Sequence, residues 1–267
     1  MSETTSAPTA APTKFTPGTP SWVDANSTDV PASRAFYTQL FGWEAMDLPP
    51  DAGGYLMFTL GGAIVAAVGA TQMEGQPSSW SVYFATEDAD ETSRKVVAAG
   101  GQVTVPAFDV LDQGRMAVYQ DPTGAYFSVW EGKLMAGLGK AEEANTFSWA
   151  ELNAPGIDRA EPFYREVFGW GTKKAEAKDG APPYTEWQVD GKSIGGGMDT
   201  AGVPGMENIP PHWLVYFEVA DIDATAARAK ELGGTLHMGP QEYPGGRFAV
   251  VGDPTGASFG LMQSSAA

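Results

Sequence analysis

Phe36-Tyr37 followed by Phe41-Gly42-Trp43 comes back later in the chain as Phe163-Tyr164 followed by Phe168-Gly169-Trp170. The stretch ahead of it, Ser21-Trp22-Val23-Asp24, comes back as Ser148-Trp149-Ala150-Glu151. Both pairs keep one offset, 127 residues (163 − 36 and 148 − 21). Further along, Val82-Tyr83-Phe84 returns as Val215-Tyr216-Phe217, Asp88-Ala89-Asp90 as Asp221-Ile222-Asp223, and Gly100-Gly101 as Gly233-Gly234. Gly114-Arg115 with Asp121-Pro122-Thr123-Gly124-Ala125 returns as Gly246-Arg247 with Asp253-Pro254-Thr255-Gly256-Ala257, the offset having drifted only to 132 (253 − 121). A unit this long is a whole domain, not a solenoid repeat. The chain is two copies of one domain, and its chemistry is to be sought at equivalent positions in both.

Within one copy the pattern repeats again. Ser21–Asn26 reads as a short strand; Asp29, Pro31 and the stripe Ala35, Phe36, Leu40 read as a helix ending at Gly42. Residues 43–48, 55–60 and 63–69 follow as three strands between Gly- and Pro-rich turns. Trp80–Thr86 opens the second round, Asp88 with Glu91 starts a helix to Gly100, and residues 102–109, 115–120 and 125–130 are three more strands. Asp-Pro-Thr-Gly joins the last two as a tight turn. In the second copy, Asp158 and Glu161 stand at capping-box spacing. Each copy is thus β-α-β-β-β twice over, an α+β arrangement.

The bulk properties narrow the function. The chain of 267 residues is long enough for two domains that each bury a core. A formal charge of −17 argues against nucleic acid and against an anionic membrane surface as partners. With no Cys, disulfides, thiolate metal sites and thiol nucleophiles are excluded. Residues 1–18, rich in Thr, Ala, Ser and Pro, read as a disordered tail without signal-peptide features. Residues 132–145 read as a linker able to carry a short helical turn, between domains at 19–131 and 146–263. A cytoplasmic protein is the expectation, one released, if at all, without a signal peptide.

The Phe-Tyr…Phe-Gly-Trp helix end, the Asp-x-Asp helix start after a strand, the Gly-Gly helix end and Asp-Pro-Thr-Gly-Ala before the last strand, in that order and twice, resemble the vicinal oxygen chelate superfamily. That superfamily includes glyoxalase I, the bleomycin-resistance proteins and the extradiol dioxygenases; the two-domain layout is most similar to its actinobacterial secreted-antigen and hydroxylase-like branch. The resemblance implies a tandem repeat of two glyoxalase-like domains, each built from two βαβββ modules that curl into an eight-stranded open barrel or cup. It also implies a divalent metal held by the first, fifth and eighth strands. By spacing from the shared motifs those positions fall on Trp22, Ser81 and Ser128 in the first copy and on Trp149, Leu214 and Gly260 in the second. None is a ligand for zinc or iron. The first copy has no His at all, so no metal and no cofactor are expected. Asp24 and Glu151 read as structural, hydrogen-bonded near a strand end; a register shift of one or two residues that would bring them into the cups for a carboxylate-only Mg²⁺ site is the alternative.

Strand alternation from the metal-equivalent positions turns Trp22, Tyr83, Tyr126, Ser128 and Trp130 into the first cup, and Trp149, Tyr216 and Met262 into the second. Asp24 and Glu151 share their faces. Tyr55 and Phe58, matched by Tyr184 and Trp187, are placed on the walls, while Trp43, Trp80, Trp170 and Trp213 read as core. His212, on the inward parity of Leu214, is the one imidazole placed to serve as a general base, with a capping role as the alternative. Arg115 and Arg247 read as surface salt-bridge partners, with a ligand carboxylate as the alternative. The function expected is metal-independent binding of a hydrophobic or aromatic small molecule, as in the bleomycin-resistance relatives. A glyoxalase-like lyase, dioxygenase or hydroxylase-type enzyme is the first alternative, and a scaffold with plugged cavities the second. The chain is expected to act as a monomer with paired domains or as a homodimer.

Overall fold

A computed structural model of the chain describes residues 15–49, 52–175 and 183–265. In the first copy β1 (Pro20–Ser27) leads to α1 (Val30–Phe41), β2 (Glu44–Asp47), β3 (Leu56–Leu60) and β4 (Ala63–Ala70). The second module repeats this with β5 (Ser79–Ala85), α2 (Ala89–Ala98), β6 (Gln102–Val110), β7 (Gly114–Gln120) and β8 (Tyr126–Gly132). The second copy holds β9 (Phe147–Ala154), α3 (Ala160–Phe168), β10 (Gly171–Ala175), β11 (Tyr184–Val189) and β12 (Lys192–Asp199). It closes with β13 (His212–Glu218), α4 (Ile222–Glu231), β14 (Thr235–Tyr243), β15 (Gly246–Gly252) and β16 (Ser258–Ser264). Each copy makes one eight-stranded mixed sheet, in the order β2-β3-β4-β1-β5-β8-β7-β6 and its equivalent. The two modules of a copy join where β1 pairs antiparallel with β5 and β9 with β13.

The caps follow the sequence in three helices out of four. Asp29, Asp88 and Asp221 each accept an amide hydrogen bond three residues on, from Ala32, Glu91 and Ala224. Asp158 does not. The chain turns at Gly156 into a 3-10 turn, Ile157–Arg159, which carries Asp158 inside it, and α3 starts without a side-chain cap. The carboxylates of Asp158 and Glu161 meet Lys174 instead, at 3.4 and 2.7 Å.

The last residues of the expected tail and the expected linker are held by hydrogen bonds. The tail lies outside the described residues as far as residue 14, but Phe15–Gly18 are ordered: Gly18 donates its amide to the Ala85 carbonyl and accepts from the Trp170 indole, at 2.8 and 2.9 Å. Residues 133–145 carry no helical turn and form a strap across the end of the first cup. The amides of Leu138 and Gly139 donate to Ser21 and Ile64, and the Met135 carbonyl accepts from Trp130 Nε1 at 2.8 Å.

The faces of the two sheets opposite the cups pack on each other through one aromatic layer. Trp43, Trp80 and Phe84 of the first copy meet Phe217, Trp170 and Trp213 of the second, with ring centroids 5.0–5.4 Å apart. The four tryptophans read as core all lie in this layer. A reciprocal polar joint fixes it. Asp121 Oδ1 accepts the amides of Thr123, Gly124 and Ala125, closing the Asp-Pro-Thr-Gly turn, and its Oδ2 accepts from Tyr164 of the other copy at 2.8 Å. Asp253 closes the equivalent turn and its Oδ2 accepts from Tyr37 and Ser33, both at 3.0 Å. Trp80 and Trp213 each donate to the tyrosine of that joint on their own copy, at 2.9 Å. The cups therefore open on opposite sides of the aromatic layer.

Candidate functional site

Strand β1 is buried along nearly its whole length and alternates its faces, so Val23 and Ala25 go to the aromatic layer while Trp22, Asp24 and Asn26 go to the cup. Register supplies the neighbours. Trp22 stands opposite Tyr83, Asp24 opposite Ser81, and Tyr83 beside Ser128. Three of these side chains, Trp22, Asp24 and Tyr83, form a chain of hydrogen bonds with Tyr55, which precedes β3. Trp22 Nε1 donates to the Tyr55 hydroxyl at 3.2 Å, and the hydroxyls of Tyr55 and Tyr83 both donate to Asp24 Oδ2, at 2.8 and 3.0 Å. Asp24 is 6% exposed. Burial pushes its carboxyl up to about 6, against the pull of the two phenols. Burial and the nearby carboxylate hold both phenols well above their usual range.

The second copy builds the same cluster. Trp149 Nε1 donates to the Tyr184 hydroxyl at 3.0 Å, Tyr184 donates to Glu151 Oε2 at 2.9 Å, and Tyr216 donates to Oε1 at 3.1 Å. Asn153, two residues on along the same face, is the third donor to the carboxylate, reaching Oε1 at 3.1 Å. Burial raises Glu151, and Tyr184, Asn153, Tyr216 and the charge of His212 pull against it. Trp149, Glu151 and Tyr184 are half-buried where Trp22 and Asp24 are buried, so the second cup is the more open.

The opposite wall of each cup is apolar and partly open. Trp130 stands beside Met116, which stands beside Phe108, and Phe108 is 44% exposed. The second copy places Met262 beside Phe248 and Gly260 beside Val250, with Met238 beyond, 42% exposed. Directly opposed residues share a face, so these side chains look into the cups.

Two wall residues expected from sequence are elsewhere. Phe58 and Trp187 point into the aromatic layer: Phe58 packs on Tyr37 and Trp43, and Trp187 on Tyr164 and Trp170. Trp187 Nε1 donates to the Gly196 carbonyl at 2.7 Å. Residues three apart along an extended chain face opposite ways, so Tyr55 and Phe58 cannot line one wall. Trp130, at the end of the first cup, is sealed by the strap, and Tyr126 sits at the start of β8, 57% exposed. His212 stands opposite Asn153 at the lip of the second cup, and its Nδ1 meets the Pro210 carbonyl at 2.8 Å. Its contact with Glu151 is through charge alone. Arg115 is engaged by Asp90 and Asp109, and Arg247 by Asp223, all at the surface. Asn26 and Asn153 were readable as cup residues by the parity that gave Trp22 and Trp149, and Gly196 by its need to admit the Tyr184 hydroxyl, which any Cβ there would strike.

Each cup thus offers one carboxylate, two protonated phenols and an indole N–H. Phenols and indoles in this state are hydrogen-bond donors, not metal ligands. Among the described residues no three of His, Asp and Glu come together as a metal site. The donor set does not fit the divalent ion that the metal-binding members of the resembled fold hold.

The family model described as the Glyoxalase/Bleomycin resistance protein/Dioxygenase superfamily matches residues 19–129 and again 146–261. The chain belongs to that superfamily. Within it, the chain is similar to "Anthracycline biosynthesis protein DnrV" of Streptomyces peucetius, 40% identical over 266 residues that cover 94% of this chain and 95% of the relative. It is also similar to "Putative glyoxylase CFP32" of Mycobacterium tuberculosis (strain CDC 1551 / Oshkosh), 41% identical over 256 residues that cover 94% and 96%. Among solved structures, the Mn(II)-bound glyoxalase from Novosphingobium aromaticivorans superposes with a TM-score of 0.65 at 17% identity, covering 92% of this chain and 82% of that one. The 2,3-dioxygenase LapB from Pseudomonas sp. KL28 gives 0.64 at 15%, covering 94% of each. Identities this low show a shared fold. No helix among the described residues is long and apolar enough to cross a membrane.

Proposed function

We propose that the chain binds hydrophobic, aromatic small molecules in its cups without a metal ion. The observation that carries this reading is the Trp-Tyr-carboxylate-Tyr cluster, present in both copies and built on the Trp at the first-strand metal-equivalent position. A partly open apolar wall beside a few placed polar groups is the usual make-up of a small-molecule site. The relative named for anthracycline biosynthesis supports the same ligand class, since an anthracycline is a fused planar ring system. The charge of −17 favours cationic members of the class.

Tryptophan fluorescence titrated with planar polycycles, anthraquinone among them, tests the reading. Quenching that saturates, and that weakens in Trp149→Phe, is the expected result; no quenching by any member of the panel overturns it in favour of a scaffold whose cups are filled by their own side chains. A glyoxalase-like, dioxygenase or hydroxylase-type enzyme is the second reading, favoured by the names of the relatives. Metal analysis of protein purified without chelator separates the two, because one divalent ion per chain would restore the enzyme reading.

A further inference from the structure

The two clusters differ at a single acceptor atom. In the second cup both oxygens of Glu151 are occupied, Oε1 by Asn153 and Tyr216 and Oε2 by Tyr184. In the first cup both phenols donate to Asp24 Oδ2, and Oδ1 is buried with no partner. The reason is visible in the neighbours. Asn26, the counterpart of Asn153, donates to Ser81 Oγ at 3.2 Å instead of to the carboxylate. Ser81 stands opposite Asp24 where the second copy has Leu214 opposite Glu151, and Asp is one methylene shorter than Glu. A buried carboxylate oxygen is ordinarily satisfied, so an unpartnered one amid hydroxyls calls for a donor from outside the chain.

We propose that Asp24 Oδ1 is the acceptor for a hydroxyl group on the ligand, so that the first cup selects hydroxylated aromatic molecules and the second does not. The inference rests on the cups being ligand sites. Ser81 and Ser128 suit a hydroxyl, because a serine can donate to the oxygen of the group whose hydrogen Asp24 accepts. Of the four side chains in the first cluster, Trp22, Asp24 and Tyr83 are buried and Tyr55 is half-buried. The Tyr55 ring lies across Gly69, where a Cβ would stand 2.8 Å from its Cδ2, and Tyr55 follows Gly53-Gly54, both at positive φ. A ligand reaches Oδ1 by displacing that half-buried ring.

Isothermal titration calorimetry of the full chain with 2-naphthol and with 2-methoxynaphthalene tests this directly, since the pair differ in the hydroxyl hydrogen. Wild type is expected to bind 2-naphthol about tenfold more tightly or better, the worth of one hydrogen bond to a charged acceptor. Asp24→Asn is expected to shrink the gap to about twofold, while Glu151→Gln leaves it unchanged. Equal affinities in wild type, or a gap that survives Asp24→Asn, would overturn the inference and leave the binding reading standing. A gap abolished by Glu151→Gln would move the acceptor to the second cup and overturn it as well. Binding of neither compound would remove both the inference and the binding reading for this ring class. The wild-type comparison needs no variant, so the result stands even where Asp24→Asn does not fold.

Discussion

A carboxyl with two phenols on one oxygen and none on the other is an uneven load, and Asp24 carries it inside the first cup. Burial wins over the phenols, holding the group at about 6 where an aspartate in the open sits near 3.8. The folded chain therefore keeps this proton more tightly than the unfolded chain. The contribution of the group to stability is fully present below about pH 4 and is lost as the pH climbs through about 6. Measured against Asp24→Asn, which cannot titrate, wild type should lose about 2 kcal/mol of unfolding free energy between pH 4 and pH 7.5. Urea unfolding of both proteins at the two pH values checks this. Parallel pH dependence would mean that Asp24 titrates as an open acid.

At the scale of strands, the two copies differ where the first- and second-cup tyrosines need room. The second copy has Gly260 where the first has Ser128, and a Cβ on Gly260 would fall on the Tyr216 ring. Gly260→Ala should push that ring off its place, weaken its hydrogen bond to Glu151 and cost about 1–3 kcal/mol, the usual price of overpacking a core. Ser128→Ala, the matched change in the first copy, already has its Cβ accommodated and should cost about 1 kcal/mol or less. Thermal unfolding of the two variants beside wild type gives the comparison; equal losses would show that Tyr216 has slack. The same scale shows what could be read from the sequence. The modules, the strands and the cup parity of Trp22, Asp24, Trp149 and Glu151 were legible because each strand is short and the repeat checks it twice. Asp158 failed as a cap because Gly156 inserts a turn that spacing alone does not reveal. Phe58 and Trp187 failed because they stand three residues from Tyr55 and Tyr184, and an odd step along an extended chain changes face. The phenol–carboxylate bonds were not legible, since they require the registers of three strands at once.

For the whole molecule, the motifs that repeat most faithfully turn out to serve the joint between the copies. Tyr37 and Tyr164, the two Asp-Pro-Thr-Gly turns, and Trp80 and Trp213 all meet at that joint, each copy supplying the tyrosine for the aspartate of the other. Such reciprocity means that neither copy completes its own core. A half-chain of residues 15–145 would lay bare Tyr37, Trp43, Trp80 and Phe84 as one apolar face, with the Tyr37–Asp253 and Asp121–Tyr164 hydrogen bonds broken. Contiguous exposed aromatic surface of this kind drives association. The half-chain alone is therefore expected to aggregate or to pair with itself, using the pseudo-equivalence of its own Tyr37 and Asp121 to those across the joint. Co-expressed with residues 146–265, it should instead give a one-to-one complex with the tertiary aromatic circular dichroism of the intact chain. Size-exclusion chromatography with light scattering distinguishes these states. A half-chain that runs as a monomer and keeps that aromatic signal would show that each copy closes its own core, leaving the cups independent of the joint.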